Sequence, residues 1–230
     1  MRRIPAHLRR LLQLALASAL VFALDACSDS TAQPAAQQRL SESRAAHPVA
    51  PRAIALVVAA RKQIGVTVSY DPAYTRIAYP NGDVPASRGV CTDVVIRALR
   101  TQGIDLQQRV HEDMRAHFAD YPQKWGLRGP DSNIDHRRVP NLQTWFAREG
   151  WSVAVTDRAA DYRAGDLVTW MLPGHLPHIG IVSDRKAFLG GTPLVVHNIG
   201  RGTREDDILF DYPITGHYRP KSPQGDQVRT

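Results

Sequence analysis

Three side chains in this sequence have the types and the settings to do covalent chemistry together: Cys91, His178 and His197. Cys91 follows Gly89-Val90 and opens a run, Cys91 to Gln102, in which Val94, Val95, Ala98 and Leu99 recur at i+3, i+4, i+7 and i+8. That spacing predicts a helix with Cys91 in its first turn. A thiol there faces unpaired backbone N–H groups and the positive end of the helix dipole. Both favour thiolate over thiol, and the same N–H groups can hold an oxyanion. Asp93, two residues on, opposes a low thiol pKa. The spacing also puts Cys91 at the rim of an apolar stripe, where a cysteine serves equally well as packing. His178 opens the run His178 to Val182, and His197 ends the run Leu194 to Asn198. If the two strands pair antiparallel, both imidazoles meet at one end of a sheet. With a thiol on an abutting helix they would make a nucleophile, a base and an orienting group.

The elements that must hold these groups are legible in the periodicity. Helices are expected at Arg52–Ile64, Cys91–Gln102, Val110–Ala119 and Asn141–Arg148, with Gly65, Gly103 and Gly150 as stops. Asn81-Gly82 marks a turn inside the irregular stretch from Val66 to Val90. After Gly150 the pattern changes to short β-branched runs: Trp151–Thr156, Asp166–Met171, His178–Ser183, Pro193–Asn198 and Ile214–Arg219. Helices first and strands second predict an α+β domain with an antiparallel sheet. Gly200-Arg201-Gly202 follows a strand but opens no helix, so it is a turn rather than a phosphate loop.

The runs GDLVTW (from Gly165), HIGIV (from His178) and VVHN (from Val195), after a Cys at a helix start, resemble the core of NlpC-type cysteine peptidases, a branch of the papain-like fold. That resemblance implies a thiol heading a helix packed on an antiparallel sheet. It implies Cys91 as nucleophile, His178 as base and His197 as orienting residue, with Asn198 as the alternative orienter. It also implies an oxyanion-side tyrosine upstream of the cysteine, Tyr70 or else Tyr79. Cys91 lies between Val90 and Thr92, where that family commonly has Asp and Ser. A longer series of runs resembles a YijF-like bacterial family of unknown function. It comprises YDPAY, YPNGDVP, RGVCTDVVIRALR, PDSNIDHRRVPNL, HIGIV, HNIG and GHYR, and covers Arg52 to Pro220. The resemblance implies a thiolate-dependent hydrolase of an amide or peptide bond in peptidoglycan. Acyl transfer or lipid hydrolysis on the same fold, or binding without catalysis, are its rivals. The charged insert holding Asp135, His136, Arg137 and Arg138 is a candidate substrate contact, since an arginine can pair bidentately with a stem-peptide carboxylate; an ion-paired brace is the alternative.

Composition sets the outer bounds. The chain has 230 residues, 43% of them hydrophobic and 22% charged, which excludes a wholly disordered chain. The formal charge is +7, of which +3 sits in the first 26 residues, and no Lys/Arg cluster of the kind a phosphate backbone requires is present. Nucleic acid is therefore not an expected partner. Residues 1–26 have a basic start and an apolar stretch from Leu11 to Leu24, the pattern of a signal peptide. Leu24-Asp25-Ala26-Cys27 resembles a lipobox, so Cys27 is the expected lipid attachment. Residues 27–51, rich in Ala, Ser, Gln and Pro, are the expected tether. The domain is then 52–220 and the tail 221–230. The protein is expected to be exported to the periplasm and anchored in the outer membrane, with murein as its substrate. Acylation of Cys27 would leave Cys91 as the lone thiol of the domain, which excludes a thiolate zinc site. His175, His178 and His197 have no acidic residue at ligand spacing, so neither a metal nor a cofactor is expected. His111, His117 and His217 are taken as structural or exposed.

Overall fold

The computed structural model describes residues 50–221. The expected signal peptide, Cys27, nearly all of the tether and the tail from 222 lie outside the described residues. Among the described residues no helix is long and apolar enough to cross a membrane.

Four helices come first. α1 (Pro51–Arg61) starts on a proline, whose missing N–H costs nothing in a first turn. α2 (Cys91–Arg100) starts from the extended Val90, whose N–H donates to Asp93 Oδ2 at 2.6 Å, and it carries Arg97 and Arg100 in its last turn. α3 (Leu106–His117) begins four residues before the apolar pattern does, because Asp105 accepts the N–H of Gln107 and caps it. α4 (Val139–Arg148) also has proline in its first turn. Before α2, β1 (Ser69–Tyr70) and β2 (Arg88–Gly89) form a two-stranded parallel ribbon that the sequence does not announce. The main sheet has six strands: β3 (Ser152–Val153), β4 (Leu167–Leu172), β5 (Leu176–Lys186), β6 (Pro193–Asn198), β7 (Thr203–Asp206) and β8 (Ile214–Tyr218). Its order is β3-β8-β4-β5-β6-β7, and every neighbouring pair is antiparallel. The molecule is α+β, as the change of period predicts.

Strand alternation divides the interior. Ile179, Ile181 and Val196 face the helices and pack with Cys91, Val94, Val95, Leu99, Leu56 and Val57. The opposite face carries Val168, Trp170, Val182 and Val195, closed over by Tyr162, Ile208 and Leu209. Gly180 lies where β5 and β6 are closest. A Cβ there would meet Val195 at 2.5 Å and His197 at 3.1 Å, so this glycine is required by the strand pairing that sets the two histidines side by side.

Candidate active site

Cys91 is buried, 4% exposed, at the start of α2. The backbone N–H groups of Cys91 itself, of Thr92 and of Ile179 on β5 lie near enough to its sulfur to favour the thiolate. The first two are helix-start donors; the third fixes where the thiol meets the sheet, one residue past His178. The helix start favours thiolate, but burial outweighs it. Loss of water pushes the Cys91 thiol up to about 12, the three N–H groups pull it down, and the nearby Asp93 charge adds to the rise. The free site holds a neutral thiol, contrary to the expectation drawn from the helix dipole alone.

His178 pairs across the sheet with Trp170, and His197 with Gly180. Both rings are buried. His178 Nε2 lies 3.2 Å from His197 Nδ1, and His197 Nε2 lies 3.1 Å from Asp206 Oδ2. Burial, and secondarily the His197 charge, lower the His178 pKa to about 3. Burial also lowers that of His197, offset in part by Asp206. Two neutral imidazoles in series against a carboxylate have one consistent set of tautomers. His197 donates its Nε2–H to Asp206, leaving a lone pair on Nδ1. His178 donates its Nε2–H to that lone pair, which leaves His178 Nδ1 unprotonated. That is the protonation state a general base needs. Strand alternation sets both rings on the sheet face of Trp170 and Val195, whereas Cys91 packs with Ile179 and Ile181 on the other, and neither histidine lines the cavity at the thiol. The structure therefore does not bring the three expected catalytic residues together, because successive residues of β5 point to opposite faces.

Asp206 is absent from the sequence reading. It sits on β7, a four-residue strand after the Gly200–Gly202 turn, with too little apolar alternation to register as one. Only the β6–β7 pairing, Val195 with Asp206 and His197 with Arg204, brings it to the imidazole. Arg204 Nη2 holds the same carboxylate at 3.0 Å.

A cavity of about 220 Å³ opens at Cys91, lined among others by Tyr70, Pro72, Trp125, Arg138 and Pro177. Tyr70 reaches it from β1, with its hydroxyl pKa raised to about 12 by burial and then by the proximity of Cys91. Tyr79 lies elsewhere, packed edge-on to His111 on α3. Asn198 serves neither as orienter nor as oxyanion donor. Its Nδ2 donates to Gly89 O at 3.1 Å and Ser69 O at 3.5 Å, pinning the β1–β2 ribbon that presents Tyr70 and leads into Cys91.

The charged insert divides by burial. Arg137 donates to both Asp93 oxygens, at 3.0 and 2.9 Å, and to the carbonyls of Asp71 and Ala73. Its side chain is 2% exposed, so the guanidinium is committed to bracing α2 rather than free for a substrate. His136 is buried with its pKa lowered to about 3 by loss of water. Asp135 is buried, held by the Asp131 N–H, and pushed up to about 6 by burial. Neither lines the cavity. Arg137 and Arg138 both line it, but only Arg138 is not held by Asp93: it pairs with Asp135 at 3.1 Å and stacks on Trp125 at 4.1 Å. Trp125, too, was not singled out in the sequence, because one tryptophan in a loop has no periodicity to mark it.

Several features of this chain recur in other proteins. Residues 57–220 match the family model described as "Domain of unknown function (DUF1287)". The uncharacterized protein YijF of Escherichia coli (strain K12) is 59% identical over 166 residues, covering 72% of this chain and 80% of that protein. No solved structure matches. The cavity, the buried thiol and the histidine series all fall inside the matched region, and the chain belongs to the DUF1287 family.

Proposed function

We propose that this domain is a cysteine hydrolase of the NlpC-type, papain-like kind, cleaving an amide or peptide bond of peptidoglycan in the bacterial periplasm. The observation that carries this reading is the placement of Cys91. It heads a helix, the backbone N–H groups of Cys91, Thr92 and Ile179 favour its thiolate, and a cavity opens over it.

The proposed chemistry requires the start of β5 to turn so that His178 reaches the sulfur from the opposite face of the sheet. His178 Nδ1 then takes the thiol proton as the sulfur attacks the carbonyl carbon. The oxyanion accepts the helix-start N–H groups, with the Tyr70 hydroxyl at the same cavity. The imidazolium returns the proton to the leaving amine, and water then hydrolyses the thioester to carboxylate and thiol. His197 and Asp206 stabilise the imidazolium during its brief life and hold the ring in the productive tautomer. Closure of the cavity over a substrate strengthens every one of these interactions by excluding water. Arg138, on its Trp125 platform, supplies a guanidinium edge for a substrate carboxylate. No metal and no cofactor enters the scheme.

The test is mass spectrometry of purified murein after incubation with the protein and with Cys91→Ala. New peptide fragments with the wild type alone support hydrolysis. Release of fatty acid from lipid substrates, with murein intact, would point to the lipid-hydrolase alternative.

The raised thiol pKa favours a second reading, a binding lipoprotein with a quiescent site. It predicts that the wild type and Cys91→Ala retain murein equally and release nothing.

A further inference from the structure

The hairpin joining β5 to β6 ends in an apolar tip that nothing among the described residues covers. Phe188 is fully exposed and Leu189 is 80% exposed, whereas Ile179, Ile181, Val182, Val195 and Val196 of the flanking strands are buried. Arg185 and Lys186, both exposed, stand immediately before the tip; Arg185 also pairs with Glu205 at 3.1 Å and follows Asp184, and no acidic residue occurs between Arg185 and Thr192. The turn is closed by the Ala187 N–H on Thr192 O at 2.8 Å and is completed by Gly190 and Gly191, both at positive φ. The two side chains therefore project from a folded hairpin rather than a loose loop. Two adjacent large apolar groups at a tip, with cations one step behind them, match the layering of a bilayer surface: acyl chains first, anionic headgroups next.

The position of the tip agrees with this. Pro177, at the start of β5, lines the Cys91 cavity, while Phe188 follows the other end of the strand. Eleven residues of extended chain separate them by about 30 Å. The chain joins the domain away from the cavity as well. Arg52 and Gln102 exchange hydrogen bonds at 2.9 and 2.7 Å, which places the start of α1 at the opposite end of α2 from Cys91. Ala53 packs on Gly165, whose N–H donates to Val182 O in the tip-side half of β5. The 49 residues that precede the domain hold the apolar stretch Leu11 to Leu24 and the expected lipid attachment.

We propose that Phe188 and Leu189 insert into an anionic membrane surface, with Arg185 and Lys186 on its headgroups, so that the Cys91 cavity faces away from the bilayer. This contact is independent of what the cavity does.

The experiment compares two single-cysteine variants of the full chain, Leu189→Cys and Leu176→Cys, in a background carrying Cys27→Ser and Cys91→Ala. Leu176 is 60% exposed at the cavity end of the same strand, so both probes share one fold and one N-terminal segment. Each is labelled with an environment-sensitive fluorophore and mixed with vesicles of phosphatidylglycerol and phosphatidylcholine. The expected result is an iodide-quenching constant at 189 that falls at least about threefold on vesicles, with 176 unchanged. Arg185→Glu with Lys186→Glu, or vesicles of phosphatidylcholine alone, should remove the protection. Equal accessibility at 189 with and without vesicles, equal protection of 176, or protection at 189 without any lipid would each overturn the proposal.

Discussion

Two histidine–carboxylate pairs sit on this sheet, and they differ in what remains unused. His217 spends both ring nitrogens, Nε2 on Asp166 at 2.7 Å and Nδ1 on the Ala154 carbonyl at 3.1 Å, under a Tyr162 ring stacked at 4.3 Å. Asp166 in turn holds Arg219 and the Arg163 N–H. Every polar atom is committed, so this pair is a clamp between β8 and the start of β4. His197 makes the same bond to Asp206, but its other nitrogen passes to His178, and His178 Nδ1 has no hydrogen-bond partner among the described residues. The chemical pair is alike in both places. What separates a brace from a candidate relay is one ring nitrogen left open.

The sharpest way to break this contrast is to remove the ends of the open series. Cys91→Ala and His178→Ala should each abolish murein cleavage, and Cys91→Ser should not restore it, because a hydroxyl does not ionise as a thiol does. Cys91→Ala should shift stability by no more than about 1 kcal/mol. Full activity in a folded Cys91→Ala protein would end the covalent mechanism. In the closed cluster the effect should move from turnover to stability. Asp166→Ala strands Arg219 and His217 in a buried site and should cost about 3–5 kcal/mol, seen as a drop of roughly 10 °C or more in the melting midpoint. A stable Asp166→Ala protein would mean the cluster is not a clamp.

The inner members of the open series should give graded losses. His197→Ala should lower kcat about 10²-fold, since orientation and tautomer are lost by degrees while the nucleophile remains. Asp206→Asn should lower it about tenfold and move the acid limb of the pH–rate profile, with little change in melting. If Asp206→Asn melts early and keeps its kcat, the carboxylate is structural.

Acid should expose the buried imidazoles. His178 and His136 take up a proton in the unfolded chain below about pH 6.5, but in the folded chain only near pH 3. Stability is therefore present above pH 6.5 and is lost as pH falls through that window, by up to about 1.4 kcal/mol per pH unit for each group. Denaturant midpoints measured between pH 7 and pH 4 should show this slope, and His136→Asn should flatten it. The smallest effect belongs to the platform: Trp125→Ala should raise KM about threefold to tenfold with kcat unchanged, the value of one cation–π contact. A fall in kcat instead would place Trp125 in the transition state rather than in binding.

The correspondence between sequence and structure follows the range of each interaction. β6 runs from Pro193 to Asn198 as the alternation predicts, and α2 begins at Cys91 as the helical spacing predicts. α3 begins early because a single Asp105 cap, not the apolar pattern, sets its start. β7 and the β1–β2 ribbon are missed because four and two residues carry no period to detect.

For the site the division is the same. The sequence by itself determined that a thiol heads a helix, that two histidines lie on strands, and that helices precede an antiparallel sheet. Each of these is a local matter of side-chain spacing along one segment. Only the tertiary structure decided that the two histidine strands pair and turn their rings away from the thiol, that Asp206 completes the histidine series, that Arg137 at the cavity is consumed by Asp93 while Arg138 stacks on Trp125, and that Asn198 pins a ribbon. It also decided the charge on the thiol. The helix start acts over one turn and is written in the chain, whereas desolvation is the sum of everything packed around the sulfur, and here that sum is larger.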